Sequence, residues 1–370
     1  MENVQVIKNP QNFLCGEGVL NDISYYSKKI GTNAYIVGTK KSYAAVKNKI
    51  ISALKKENMK YSTRLFENYP TIEQAVKYSE DIKKEKADLV IAIGGGRVID
   101  VMKYAATLAN IKIITVPTIA ATSAAWRCNS ILYLENGSYD RSVVNQFSPE
   151  YVIADSSIIV QAPIRYIYAG IMDAVAKWYE SRPYREMYTN DLNLLFSLNV
   201  AKQAFEFLES NTPNITTDFK QGKSSNLVIQ TIINVIALTG IAGCYSSELK
   251  FPGFAHPFYN EVTKIQSTKN LLHGEIIGFG ILTQIMLEQN SSKEFKDALN
   301  FFEKFNFNYT LEDMGITEVY QLEHLANNLW KNKDKIRFLQ HIKTSKEIQK
   351  AILKVNDIVI HKKAKKEANL

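Results

Sequence analysis

Apolar residues arrive in two rhythms along this chain. Up to about residue 160 they form short unbroken runs: NAYIVGT (33–39), ADLVIAI (87–93), IKIITVPT (111–118) and YVIAD (151–155). Runs of this length, bounded by polar and glycine residues, predict strands buried on both faces. Helical spacing follows two of them, over about 42–56 and 98–109, and strand–helix–strand alternation predicts a parallel sheet with covered faces. SILYLENGSYDRSVV breaks the alternation and reads as a hairpin turning at Asn136-Gly137. Beyond Pro163 the rhythm becomes that of amphipathic helices, in LNLLFSLNVAKQAFEFLES (192–210), NLVIQTIINVIALTGIAG (226–243) and HGEIIGFGILTQIMLEQ (273–289). The pattern predicts an α/β domain over residues 1–160 and an all-helical domain over 161–370.

Composition narrows the picture. The chain has 370 residues and is 46% hydrophobic, enough for two packed domains. No unbroken apolar run reaches membrane-spanning length, so no membrane association is expected. The start, MENVQVIKNPQNF, has no basic stretch leading into an apolar one, so secretion is not expected. Three widely spaced cysteines (Cys15, Cys128, Cys244) predict reduced thiols and a cytoplasmic setting. The net charge of +8 is scattered, apart from a basic cluster at 361–366 that reads as a solvated tail. Nucleic acid is therefore not an expected partner, whereas anionic small molecules suit the charge.

The junction IAIGGGRVID is the first candidate for chemistry. Gly94, Gly95 and Gly96 end one predicted strand and open a helix, although each glycine costs roughly 1 kcal/mol relative to alanine. Bare backbone N–H groups at a helix N-terminus form a phosphate cradle, and Asp100 follows one turn later. The next strand ends in VPTIAATSAAW, which places the hydroxyls of Thr118, Thr122 and Ser123 at the same end of the sheet.

Histidine is scarce, with five in the chain. His324, His341 and His361 lie in charged helical stretches and read as surface residues. His256 in FAHPFYN and His273 in LLHGE do not, and Asp173 in AGIMDAVAKWYE sits among apolar neighbours where a carboxylate needs a cation or donor. One carboxylate and two imidazoles would leave a tetrahedral zinc with an open position.

IGGGRVIDVMK, VPTIAAT, GIMDAVAKWYE, FAHPFYN and LLHGE occur in the order seen in the iron-containing alcohol dehydrogenase superfamily. The chain resembles its glycerol-dehydrogenase branch over about residues 30–290. The resemblance implies a dehydroquinate-synthase-like fold, a Rossmann-like dinucleotide domain followed by a helical one, with the active site in the cleft between them. It implies Asp173, His256 and His273 as metal ligands and catalytic centre, binding Zn2+ or Fe2+. It assigns Gly94, Gly95, Gly96 and Asp100 to the phosphate loop, and Thr118, Thr122 and Tyr133 to the cofactor cleft. It also implies a homo-oligomer that transfers hydride between a nicotinamide and a small alcohol, polyol or 2-oxo acid.

Three departures qualify the resemblance. Ser123 stands where glycerol dehydrogenases carry an aspartate that touches the polyol. Arg127 and Asn129 occupy positions lining the nicotinamide side, and Arg127 could pair with a substrate carboxylate or with the cofactor pyrophosphate. Lys177 stands where the iron enzymes carry a further histidine, which favours zinc. The turn Gly38-Thr39-Lys40-Lys41-Ser42 holds two cations and no acid, which predicts NADP(H) over NAD(H). A 2-oxo acid reductase is the close alternative. A dehydroquinate-synthase-like lyase and an inactive nucleotide-binding relative are more distant ones.

Overall fold

The unbroken apolar runs form the middle of a six-stranded sheet. Strands β1 (Asn12–Gly16), β2 (Asn33–Gly38), β3 (Lys60–Leu65), β4 (Leu89–Gly94) and β5 (Lys112–Pro117) precede a hairpin, β6 (Asn129–Tyr133) and β7 (Tyr139–Val144), and then β8 (Tyr151–Asp155). The order across the main sheet is β1-β8-β5-β4-β2-β3, all parallel. This computed structural model describes residues 7–246, 251–265, 270–288, 292–332 and 336–368.

Helices α1 (Ile23–Lys28), α2 (Lys40–Lys56), α3 (Ile72–Lys84) and α4 (Gly96–Ala109) alternate with these strands. The inner strands are buried on both faces, and Ile36, Ile91 and Ile114 pack with Val46, Ile50 and Leu54 of α2. The edge strands β1 and β3 escape the sequence pattern for a physical reason. KYSTRL is partly exposed along its length, so it needs no continuous apolar run. The hairpin is antiparallel, with Gly137 at φ 88 and Asn136 Oδ1 accepting from the Ser138 N–H at its turn.

Topology decides where a ligand can enter. β2 pairs β3 on one side (Val37↔Arg64) and β4 on the other (Val37↔Ala92), while β4 pairs β5 (Ile93↔Val116). The chain leaves β2 in one direction and β4 in the opposite one. Their following connections therefore diverge and open a crevice at the carboxyl ends of the two strands. The turns Gly38–Lys40 and Gly94–Gly96 flank that crevice.

From α5 (Ser156–Ile159) onward the described residues contain no strand. The helices are α6 (Arg165–Ser181), α7 (Leu192–Lys220), α8 (Asn226–Ile233), α9 (Thr239–Ser246), α10 (Ala255–Val262), α11 (His273–Leu287), α12 (Ser292–Glu303), α13 (Val319–Lys331) and α14 (Ser345–Glu367). A π-helical turn, Asn234–Leu238, joins α8 to α9.

One expectation is corrected here. A single cut near residue 160 does not describe the chain: one compact unit comprises residues up to Ile167 together with Asn214–Cys244, and the other Tyr168–Pro213 with Tyr245 onward. One helical stretch, Asn226–Tyr245, is also long and apolar enough to cross a membrane by length and composition, with mean hydropathy 2.0. Of that stretch's most apolar window, 61% is buried inside the protein, the environment of a core helix.

Candidate metal centre and nucleotide turn

In the second unit, three helices bring together residues that lie far apart in the chain. Asp173 lies in the middle of α6, His256 in the first turn of α10 and His273 at the start of α11. A Cβ on Gly274 would stand 1.8 Å from the Ala169 carbonyl oxygen, so the bare Cα there lets α11 begin against the backbone of α6. That contact delivers His273 Nε2 to 3.1 Å from Asp173 Oδ1, with His256 Nε2 at 3.6 Å from the same oxygen. The candidate ligand atoms of the three all lie within 4.8 Å of one another. Tyr259 packs edge-on against His273, ring centroids 4.2 Å apart.

Asp173 is 4% exposed. Burial pushes its carboxyl up, but His273, His256 and Lys177 outweigh burial and hold it well below the usual carboxylate range. Burial pulls the His256 imidazolium down, and Lys177 acts in the same direction. Glu180 and Asp173 outweigh both and hold it up to about 9. One buried anion thus gathers two imidazoles, the donor chemistry that suits a divalent cation.

Sequence reasoning missed Glu180, whose Oε2 lies 2.5 Å from His256 Nδ1. The signal was available: Asp173, Lys177 and Glu180 are spaced i, i+4, i+7, a polar stripe on an otherwise apolar helix. Both Lys177 and Glu180 are buried. His324 and His361 are exposed, and His341 is exposed with its Nε2 2.8 Å from the Leu287 carbonyl, so none of the three reaches the centre.

In the first unit, the glycines of the β4–α4 turn have neighbours of their own. Gly94 has φ 144, where a side chain is strained, and its Cβ would stand 2.6 Å from Val98 Cγ1. A Cβ on Gly95 would meet Ile119 at 2.7 Å, and one on Gly96 would meet Ala124 at 3.3 Å. The loop after β5 therefore closes over the turn, with the Thr118 N–H donating to the Gly94 carbonyl at 3.2 Å. A crevice remains, lined by the three glycines with Pro117, Thr122 and Ala125. Gly95 caps α4 without a side chain, so the first N–H groups of that helix are not capped by a side chain at its N-terminus.

At the β2–α2 turn the hydroxyls are already engaged. Thr39 Oγ1 accepts from the Ser42 N–H and Ser42 Oγ accepts from the Thr39 N–H, a reciprocal cap, while Ser42 also reaches the Ile93 carbonyl at 2.9 Å. Lys40 and Lys41 are exposed. Among the polar side chains of this turn, the lysine cations are the exposed ones.

Asp100 is likewise engaged within the unit. Its carboxylate lies 2.8 Å from Lys103 Nζ, and burial pushes the carboxyl above its ordinary value even with Lys103 opposing. Lys103 donates to the carbonyls of Ala124 (2.8 Å), Arg127 (2.9 Å) and Asn129 (2.5 Å). Asp100 thus supports the loop through Lys103, a second residue that sequence reasoning missed. Ser123 is buried, and its carbonyl accepts the Trp126 and Arg127 N–H groups. Arg127 donates to Asn129 Oδ1 at 3.2 Å, and its Nη1 lies only 1.8 Å from where a Cβ on Gly243 would be. The guanidinium rests directly on α9. Tyr133 stands on β6 beside Tyr69, ring centroids 6.1 Å apart.

Comparison with known proteins agrees with this architecture. A profile described as "Iron-containing alcohol dehydrogenase" matches residues 10–156. The glycerol dehydrogenase of Citrobacter freundii is 23% identical over 325 residues, covering 85% of this chain and 86% of that protein. The glycerol-1-phosphate dehydrogenase [NAD(P)+] of Saccharolobus islandicus is 29% identical over 321 residues, covering 85% and 86%. The crystal structure of glycerol dehydrogenase from Schizosaccharomyces pombe superposes with a TM-score of 0.85 at 22% identity, covering 98% of this chain and 93% of that one. Over residues 10–156 the chain is similar to the iron-containing alcohol dehydrogenase family. Over most of its length it is also similar to proteins named glycerol dehydrogenase.

Proposed function

We propose that this protein is a divalent-metal-dependent dehydrogenase that exchanges hydride between a small alcohol or polyol and a nicotinamide dinucleotide. The observation that carries this reading is the meeting of Asp173, His256 and His273 within 4.8 Å. When bound, the ion supplies Lewis acidity to the substrate oxygen and the nicotinamide gives or takes the hydride. Asp173, His256 and His273 would hold the ion, and three protein ligands match a catalytic zinc that keeps one position for substrate. Lys177, standing where a further imidazole would favour iron, supports zinc. Gly94–Gly96 and the N-terminus of α4 would hold the pyrophosphate, with Thr118, Thr122 and Tyr133 nearby on the same unit.

The test is a substrate panel after zinc reconstitution, followed by nicotinamide absorbance. Turnover of an alcohol or polyol, lost on chelation and restored by zinc, supports the reading; no turnover of any alcohol, polyol or 2-oxo acid overturns it. A second reading, reduction of 2-oxo acids, is favoured by Arg127 and by Ser123 in place of the polyol-contacting aspartate. The same panel separates the two. Cys15, Cys128 and Cys244 are in no disulfide, which fits a reducing, cytoplasmic setting.

Lys40 and Lys41 are exposed cations at the start of α2, beside the crevice and without an acid in the turn. They would accept a ribose 2′-phosphate, so NADP(H) is the expected cofactor. kcat/KM with NADPH is expected to exceed that with NADH by at least about tenfold, or roughly 1.4 kcal/mol. Replacing both lysines by alanine should remove most of the difference. Equal or faster turnover with NADH overturns the preference.

A further inference from the structure

Glu180 is buried, and both of its carboxylate oxygens go to one residue. Oε2 lies 2.5 Å from His256 Nδ1, and Oε1 accepts the backbone N–H of His256 at 3.0 Å. The approach depends on a bare backbone nearby: a Cβ on Gly253 would stand 2.2 Å from Glu180 Cγ and 2.4 Å from its Cδ. The segment leading to His256 is pinned on the way. The Tyr184 hydroxyl donates to the Pro252 carbonyl at 2.7 Å, and the Phe254 N–H donates to Gln284 Oε1 at 3.0 Å. Gln284 in turn donates to the Tyr179 carbonyl at 2.7 Å, next to Glu180 on α6. The helices that carry Asp173 and His273 thus also fix the path of the chain into His256.

With Nδ1 turned to Glu180, the ring presents Nε2 to the side where Asp173 and His273 meet. A carboxylate behind an imidazole fixes its rotamer and tautomer and raises the basicity of the far nitrogen. We propose that Glu180 is a positioning residue that presents His256 as an Nε2 metal ligand, its carboxylate clasping ring and main chain across the bare Cα of Gly253. The proposal rests on the metal-site reading above. Lys177, one turn before Glu180 on α6 and also buried, balances the charge that Glu180 and Asp173 bring into the same interior.

The experiment compares the parent with Glu180→Gln, which keeps shape, and with Glu180→Ala and Gly253→Ala, which remove or displace the carboxylate. Zn2+ affinity is read by competition with a chromophoric chelator, ligand geometry from the visible spectrum of the Co2+-loaded protein, and fold integrity from the Tm of metal-free protein. Zn2+ is expected to bind about 10-fold more weakly to Glu180→Gln and about 100-fold more weakly to the alanine variants. The Co2+ spectrum should change, while metal-free Glu180→Gln keeps the parental Tm. Parental affinity in both Glu180 variants overturns the proposal and leaves the metal site standing. Unfolding of metal-free Glu180→Gln overturns it in favour of a purely structural contact. A parent that takes up no Zn2+ removes the metal-site reading and this proposal together.

Discussion

Asp173→Asn is expected to lower kcat/KM of the zinc-loaded enzyme by about a thousandfold or more, with a parallel loss of zinc retention. Asp173 is the one anion among the three proposed ligands, and its Oδ1 is the atom both imidazoles approach, at 3.1 and 3.6 Å. Asparagine keeps the shape and can still accept from one imidazole, so the helices should stay packed. What it lacks is charge. A metal centre contributes several kcal/mol to the reacting oxygen, and about 4 kcal/mol corresponds to roughly a thousandfold in rate. Steady-state kinetics with metal content measured on the same samples checks this. Activity above about a tenth of the parent's, with zinc retained, would remove Asp173 from the centre.

The second large effect lies in the other unit. Lys103→Met should destabilise the protein by about 3–5 kcal/mol, the range for breaking one side of a buried ion pair. The Lys103 side chain is 0% exposed; it is the ion-pair partner of the Asp100 carboxylate at 2.8 Å and donates to the backbone carbonyls of Ala124, Arg127 and Asn129 around the glycine turn. Methionine fills the volume but donates to none of them. Asp100, already pushed upward by burial, can escape part of the cost by taking a proton, whereas the carbonyls cannot. Adding Asp100→Asn to Lys103→Met should therefore recover some stability, and the double-mutant cycle measures the coupling. Urea unfolding followed by circular dichroism reads both values. A loss below about 1 kcal/mol for the single variant would mean that the pair does not hold the loop.

What could be read from the sequence follows burial closely. β2, β4, β5 and β8 are enclosed on both faces and announce themselves as unbroken apolar runs. β1 and β3 lie at the sheet edges, where one side meets solvent, and their mixed composition carries no such signal. The residues proposed for the metal site stand out because histidine is rare and two of the five stand in apolar surroundings. Glu180 and Lys103 do not, although each sits on a helix at a regular interval from a noticed acid. An acid or lysine at such spacing reads as an exposed pair until tertiary packing closes over it. The return of residues 214–244 to the first unit was equally hidden, since their helical period matches that of the segments around them.

That return has a consequence for biosynthesis. Gly240 gives way to the Trp126 ring, whose Cδ1 would lie 2.4 Å from a Cβ at that position, and Gly243 does the same for Arg127. The loop over the glycine turn leaves the ribosome long before the helix that seats it. The nascent chain must hold Trp126 and Arg127 without their final support until Cys244 has emerged, so the first half of this protein cannot mature as a finished module while the rest is being made.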